Sequence, residues 1–401
     1  MARKLNDWLD SYITYTCEIS EPPLQFHRWC GVSLVAAALQ RKCALPWGPI
    51  TFYPNMYIVI VSPSGRARKG TATSFYKTFA DKLGFPIAAE ATTRESLIQA
   101  LASTRRSDIH PVTGETSVHS SLTVISPELT VFLGYNNQQL MSDITDWYDC
   151  ANKWTYRTKG QGTDEIWGVW VNLFGATTPD LIRSTLPLDA IGGGLTSRII
   201  FVYADNKGRI CPAPMMQTED EQCRLDLLHD LEDIHMMQGP FRTSQGFLSR
   251  WVDWYSTEAQ QYPFVDPKFG GYCERRPNHV MKLSMIISAA RRSTRVVERE
   301  DFDTALQWLK ETEVMMPQVF AGMGRLEYAD VIQNVLETVR RRGSISARDI
   351  QRIFYRDADE KRMGDIISTL TAGGFIRQRR TETDVFIELR PDPATILQNE
   401  T

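Results

Sequence analysis

Residues 57–71 read Tyr57-Ile58-Val59-Ile60-Val61-Ser62-Pro63-Ser64-Gly65-Arg66-Ala67-Arg68-Lys69-Gly70-Thr71. The apolar run Tyr57–Val61 predicts a short strand buried on both faces, as in a parallel sheet. Ser62–Gly65 breaks it, and Thr71–Leu83 has a helical pattern. A strand–loop–helix of this kind gathers backbone N–H groups at a helix N-terminus, where a cation completes a phosphate site. The loop supplies Gly65, Lys69, Gly70 and the hydroxyl of Thr71. It is not a regular GxxxxGK[ST], because Gly70 separates Lys69 from Thr71. The expected roles are Lys69 on β- and γ-phosphates, with Arg68 as the rival cation, and Thr71 on Mg2+. The competing reading is a basic surface turn.

Three further segments belong with this one. Ser121–Ile125 predicts a second buried strand, ending in Ile125-Ser126-Pro127-Glu128. A glutamate beyond such a strand can polarise a water that attacks phosphorus. Glu128 fits that place, and Ser126 fills the position of a metal-binding acid. Read alone, Glu128 is an exposed loop acid. Val169–Phe174 predicts a third strand, running into Gly175-Ala176-Thr177-Thr178-Pro179-Asp180. Thr177 and Thr178 are candidates to meet a γ-phosphate, although such residues commonly cap helices. Arg198 precedes a fourth strand, Ile199–Tyr203, where an arginine can stabilise charge across a subunit boundary. Helices are expected at Arg94–Ser103, capped by Thr92 or Thr93, and at Leu140–Cys150. Trp154–Lys159 and Thr163–Phe174, flanking Gly160-Gln161-Gly162, predict a hairpin. Strands and helices thus alternate from 51 to 205, which predicts an α/β core with a parallel sheet.

Residues 3–45 read as helices divided at Glu21-Pro22-Pro23, and 219–320 is nearly all helical pattern. Gly322-Met323-Gly324 reads as a linker. Beyond it the order is Leu326–Arg341, Ala347–Phe354 and Glu360–Thr371 as helices, then strands Phe375–Arg379 and Asp384–Leu389. Three helices and a hairpin form a winged-helix pattern.

The chain has 401 residues, enough for two or three domains, with 42% hydrophobic and 23% charged residues. That composition excludes a chain disordered throughout. No apolar run approaches the ~20 residues of a membrane span, and no secretory signal pattern opens the sequence. A net charge of −3 excludes nucleic-acid binding by a general basic coat, so such contacts must be local. The seven cysteines lack a CxxC pair and the six histidines form no metal-spaced cluster. A reduced, cytoplasmic compartment is expected, without a disulfide framework or zinc site. Cys17, Cys30 and Cys43 read as buried thiols on separate helices.

With these segments in this order, residues 51–390 resemble the AAA+ ATPases. The likeness is to helicases of the minichromosome-maintenance type and to primase–helicase ATPases of phages and mobile elements. Tyr156–Ile166 resembles the pre-sensor hairpin, which implies DNA contacts from Arg157 and the pore lysine Lys159. Asn172–Asp180 resembles the sensor-1 strand, which puts Thr178 in the sensor position. Thr196–Asp205 resembles the segment with the arginine finger, hence Arg198. Glu274–Ser284 resembles the sensor-2 helix, with Arg275 the better match and Arg276 the alternative.

The resemblance implies an α/β fold: a P-loop NTPase (AAA+) core with N-terminal helices, a helical lid and a C-terminal winged helix. The segments are 1–50 (N-terminal helices, at most a collar), 51–205 (core), 206–323 (lid) and 324–401 (winged helix). It implies ATP and Mg2+ as cofactors, a hexameric ring, and ATP-driven translocation on single-stranded or forked DNA as a phage or mobile-element replicative helicase. The alternatives are a nucleotide-switched initiator or helicase loader, or a non-hydrolysing scaffold. In the winged helix, Lys361 and Arg362 on the third helix and Arg377, Arg379 and Arg380 on the wing are the expected DNA contacts. Residues 324–401 hold 13 basic and 13 acidic side chains, so docking of other replication proteins is an equal expectation.

Overall fold

The computed structural model describes residues 3–89, 92–109, 114, 116–134, 137–158, 162–186, 193–213, 215, 217–321, 329–381 and 384–390. They form two compact units, Met1–Ala321 and Gly322–Thr401.

Helix α1 (Trp8–Glu18) starts at Asp7, whose carboxylate accepts from the Leu9 and Asp10 amides. Helix α2 (Leu24–Leu39) follows Pro23, and 13 of its 16 residues are buried. A helix apolar on all sides belongs inside a core, and this segment is part of the first unit. Asn172 pins α2 to the sheet by donating to the Ser33 carbonyl and hydroxyl at 3.2 and 3.0 Å. The helical reading of 3–45 also ran too far, because β1 (Cys43–Trp47) and β2 (Ile50–Phe52) form an antiparallel hairpin. Cys30 and Cys43 are buried, the latter on β1, while Cys17 is half-buried.

The central elements follow as β3 (Tyr57–Val61), α3 (Lys69–Lys82), α4 (Arg94–Ser103), β4 (Arg105–Ile109), β5 (Thr116–Ser126), α5 (Leu129–Leu133) and α6 (Gln138–Tyr148). Next come the hairpin β6 (Lys153–Thr158) and β7 (Gly162–Trp167), then β8 (Val169–Thr177), α7 (Pro179–Thr185) and β9 (Ile199–Tyr203). The sheet order is β4-β5-β8-β3-β9. The pairs β5–β8, β8–β3 and β3–β9 are parallel, and β4 is an antiparallel edge. All five residues of β3 and all nine of β8 are buried, as central parallel strands require. Gly168 turns β7 into β8 with φ +57°, and a Cβ there would lie 2.4 Å from the Val118 carbonyl oxygen.

The helical remainder of the first unit comprises α8 (Thr218–His235), β10 (Gly239–Pro240), β11 (Arg242–Thr243), α9 (Gln245–Ser256), α10 (Gly270–Arg291), β12 (Val296–Val297) and α11 (Arg299–Met315). Strand β10 pairs with β1, and the Trp29 indole donates to Thr312 of α11 at 2.9 Å. These ties make the division expected near 205 internal to one compact unit. No described helix is long and apolar enough to cross a membrane.

The second unit contains α12 (Ala329–Arg342), β13 (Ser344–Ser346), α13 (Ala347–Ile353), α14 (Glu360–Ala372), β14 (Ile376–Arg380) and β15 (Val385–Leu389). Its sheet order is β13-β15-β14. Val339, Ile345, Ile350, Ile366 and Ile387 meet in its core. The expected helices and hairpin are present, with β13 as an added strand.

Candidate nucleotide site and a buried cation cluster

The loops after β5, β8 and β3 leave the carboxyl ends of three adjacent parallel strands, the edge at which open α/β sheets bind ligands. The loop after β3 is tied down at its start, where the Ser62 amide donates to the Thr177 carbonyl at 3.3 Å. Gly65 takes φ +73°. Arg68 takes the left-handed conformation (φ 53°) directly before α3 and offers no side-chain cap. The first amides of α3 therefore face the loop without a capping group, which suits an anion.

Lys69 is half-buried at the start of α3, and its ammonium donates to the Ser62 carbonyl at 2.6 Å. Burial lowers the pKa of Lys69, and the carboxylate of Glu128 acts against that shift. The two groups expected to work on one phosphate therefore share a field. Glu128 lies just beyond β5, exposed, at the head of α5. Gly175 helps to hold it there: a Cβ on Gly175 would sit 3.1 Å from Leu129 Cδ1, so the bare strand lets α5 close down.

The other expected ligands divide. Arg68 turns outward to Glu21, Nε to Oε2 2.9 Å, and so leaves the lysine role to Lys69. Thr71 is exposed and stands two residues, about 200°, around the helix from Lys69. Gly70, next after Lys69, has no side chain to offer. Ser126 is buried at the end of β5. Thr178 caps α7, accepting from the Leu181 amide at 3.3 Å. Thr177, its neighbour, is fully buried, and its hydroxyl has no hydrogen-bond partner among the described residues. A buried polar group without a partner is costly. This one lies beside the loop after β3, in register with Val61, so of the two threonines Thr177 is the better candidate to meet a bound group.

Glu128 offers a carboxylate here, beside hydroxyls. A carboxylate with hydroxyls is a donor type that Mg2+ accepts, since the ion usually takes one or two carboxylates and completes its shell with phosphate oxygens and water. His229, Asp230 and Asp233 lie close enough together to hold a metal ion, but Asp230 accepts from the Lys4 and Leu5 amides and serves to fix the start of the chain.

Arg198, expected to act across a subunit boundary, and Arg275 and Arg276, expected at the nucleotide, have partners other than the Lys69 loop within this chain. Arg198 immediately precedes Ile199, which pairs with Tyr57 at the opposite end of β3. Five residues of strand separate that level from the loop, about 16 Å. Arg198 is buried, donating to Asp149 at 2.5 Å and to the Gly194 carbonyl at 2.7 Å. Arg275 approaches the same carboxylate at 3.6 Å. Arg276 is committed to the core, with two bonds to Glu313 at 2.6 and 2.9 Å. Lys282 completes the cluster. It donates to Asn55 Oδ1 at 2.7 Å and lies 3.8 Å from the Tyr148 ring centroid. Burial lowers its pKa to about 8. Within one chain, then, Arg198 and Arg275 come together with each other and not with Lys69. Asp149, Asn55 and Lys282 carried no sequence signal, since their meeting depends on α6, α10 and the segment before β3 converging.

The hairpin β6–β7 stands beside this region. Arg157 on β6 is exposed, and Lys159 lies outside the described residues. Trp154 packs edge-on against Trp147 and stacks with Tyr156. Arg94 lies 4.8 Å from the Tyr156 ring centroid while binding Asp143 at 2.6 Å. Trp154 is thus a bracing residue of the hairpin.

In the second unit, Lys361 and Arg362 are exposed on α14, next to Asp359 and Glu360. Arg377 and Arg379 both bind Glu388, at 2.9 and 3.0 Å, and Arg380 is exposed.

No protein-family model matches the chain, and no curated protein matches it.

Proposed function

We propose that the first unit is a P-loop ATPase core of the AAA+ kind, with α8–α11 as its lid, and that the second unit is a winged helix. In this reading the protein is a ring-forming, ATP-driven DNA translocase, most simply a hexameric replicative helicase of a phage or mobile element. The observation that carries the reading is Lys69: a half-buried ammonium folded onto its own loop carbonyl, opposite Glu128, at the carboxyl edge of a parallel sheet.

The residues divide the work as follows. Lys69 and the first amides of α3 hold the β- and γ-phosphates. Glu128 orients the attacking water and takes its proton, and Thr177 fixes that water or a γ-phosphate oxygen. Bound ATP and Mg2+ supply the phosphoanhydride bond and the charge shielding for its cleavage. Arg198 and Arg275, too far from their own loop, serve a neighbouring subunit's nucleotide once Asp149 yields. The hairpin, braced by Arg94 and Trp154, carries Arg157 and Lys159 to the DNA backbone. Other replication proteins would dock on the winged helix.

The bare Gly70 and the buried Ser126, in positions where a hydroxyl and an acid would bind Mg2+, favour slow turnover. They support a second reading, a nucleotide-switched initiator or loader, with a non-hydrolysing scaffold as its limit.

The test is ATP hydrolysis with and without single-stranded and duplex DNA, for wild type, Lys69→Ala, Glu128→Gln and Arg198→Ala. DNA-stimulated turnover lost in all three variants supports the motor. Nucleotide binding without turnover supports the switch, and absence of nucleotide binding by wild type rejects both.

A further inference from the structure

The basic residues of the second unit are not where a third-helix docking needs them. Asp359–Ala372, which includes α14, holds three acids and two bases. The wing arginines Arg377 and Arg379 share the half-buried Glu388. By contrast, Arg340–Arg356 holds six arginines and one acid. This stretch runs from the last turn of α12 through Gly343 and β13 into α13.

On α13, Ile350 is the buried anchor. Arg348 and Arg352 stand two residues either side of it, about 200° around the helix, and so point directly outward. Their side chains are 75% and 82% exposed, and their nearest acids are at 3.9 and 3.8 Å. Arg341 is 82% exposed, with Glu337 at 3.8 Å. Ion pairs this open and this long contribute little, so the guanidinium groups are free to exchange partners. Arg340 and Arg342 are exposed and have no ion-pair partner among the described residues. Just past α13, Tyr355 is 62% exposed, with the Arg356 guanidinium 5.4 Å from its ring centroid. An exposed aromatic among arginines is the combination that binds single-stranded nucleic acid: cations for phosphates and a ring for a base.

We infer that the segment Arg340–Arg356, and not α14, is the DNA-binding surface of the second unit, gripping the phosphates of an unpaired strand with Tyr355 stacked on a base. Charge complementarity names the occupant, since no other segment of this unit has such an excess of one sign. The inference deepens the DNA reading above and takes its partner from it, but it requires neither ATP nor hydrolysis.

The experiment is fluorescence anisotropy of the full chain with oligo(dT) and with a duplex of equal length, without nucleotide, over a range of salt. Lys159→Ala serves as background, to remove the hairpin's contribution. Arg348→Glu/Arg352→Glu is expected to weaken oligo(dT) binding at least tenfold, and Arg348→Gln/Arg352→Gln to flatten the salt slope by about 1.4. Tyr355→Ala is expected to weaken oligo(dT) about tenfold and leave the duplex unchanged. Lys361→Glu/Arg362→Glu is expected to change affinity less than about twofold, with circular dichroism confirming the fold of each variant. Unchanged binding by the α13 variants, or an equal or larger loss from the α14 variant, overturns the inference. Binding lost only on α13 in a chain that does not hydrolyse ATP would uphold this surface and reject the motor. DNA-stimulated hydrolysis with intact α13-variant binding would do the reverse.

Discussion

Arg198 and Asp149 form an ion pair at 2.5 Å in which the arginine is buried and the carboxylate is half-exposed. Arg275 reaches the same carboxylate from α10. The Nε of Arg198 has no hydrogen-bond partner among the described residues, so Asp149 and the Gly194 carbonyl are the groups that hold it. Asp149→Asn should cost about 1 kcal/mol, because solvent screens the exposed partner. A double-mutant cycle with Arg198→Ala should return a coupling of about 0.5–1 kcal/mol. Urea denaturation of the four proteins measures it, and strict additivity would show that the pair holds nothing.

The adjacent threonines should separate cleanly. Thr178→Ala removes a helix cap and should lower stability by about 0.5–2 kcal/mol, with little effect on ATP turnover. Thr177→Val removes an unpartnered buried hydroxyl, so stability should hold or rise while turnover falls at least tenfold. Thermal melts beside steady-state hydrolysis decide the assignment, and the opposite pattern would restore Thr178 as the sensor.

Arg276 and Glu313 should behave as a structural pair. Both side chains are 5% exposed, and removing one partner leaves a buried charge. Glu313→Ala should cost about 3–5 kcal/mol, and Arg275→Ala, at the cluster mouth, less than about 1 kcal/mol. Equal losses in chemical denaturation would contradict the division of roles.

The buried cations set a pH dependence. Lys282 titrates at about 8 when folded, against 10.5 ordinarily. Between those values the unfolded chain binds more protons, so stability rises with pH across that window. Lys282→Met should lose this rise, a slope difference of up to about 1.4 kcal/mol per pH unit. Burial also holds His279 at about 3 and His27 at about 4. Unfolded histidines take up protons near pH 6.5 while these stay neutral, so stability should fall as pH drops from 6.5 towards 4. Denaturation midpoints of wild type and Lys282→Met from pH 4 to pH 10 measure both limbs.

The sequence by itself determined the elements whose signal is local. Tyr57–Val61 and Ile199–Tyr203 are strands with the expected limits, because short runs of β-branched and aromatic residues suit a strand covered on both faces. Arg94–Ser103 is a helix capped by Thr93, because a capping hydroxyl and helical periodicity are written in adjacent residues. The strand–loop–helix around Lys69 was legible for the same reason. What only the tertiary structure decided depends on residues far apart in the chain. The near-total burial of α2 follows from α1, α3, α8, α10 and the sheet closing around it, which no local pattern states. Thr177 and Thr178 are equivalent as letters, but Thr177 is the last residue of the fully buried β8 and Thr178 is the first residue beyond it, capping α7. Arg198, Arg275 and Arg276 read alike as candidate phosphate ligands. Their partners, Asp149 and Glu313, are 49, 126 and 37 residues away respectively, and only folding brings each charge to the group that holds it.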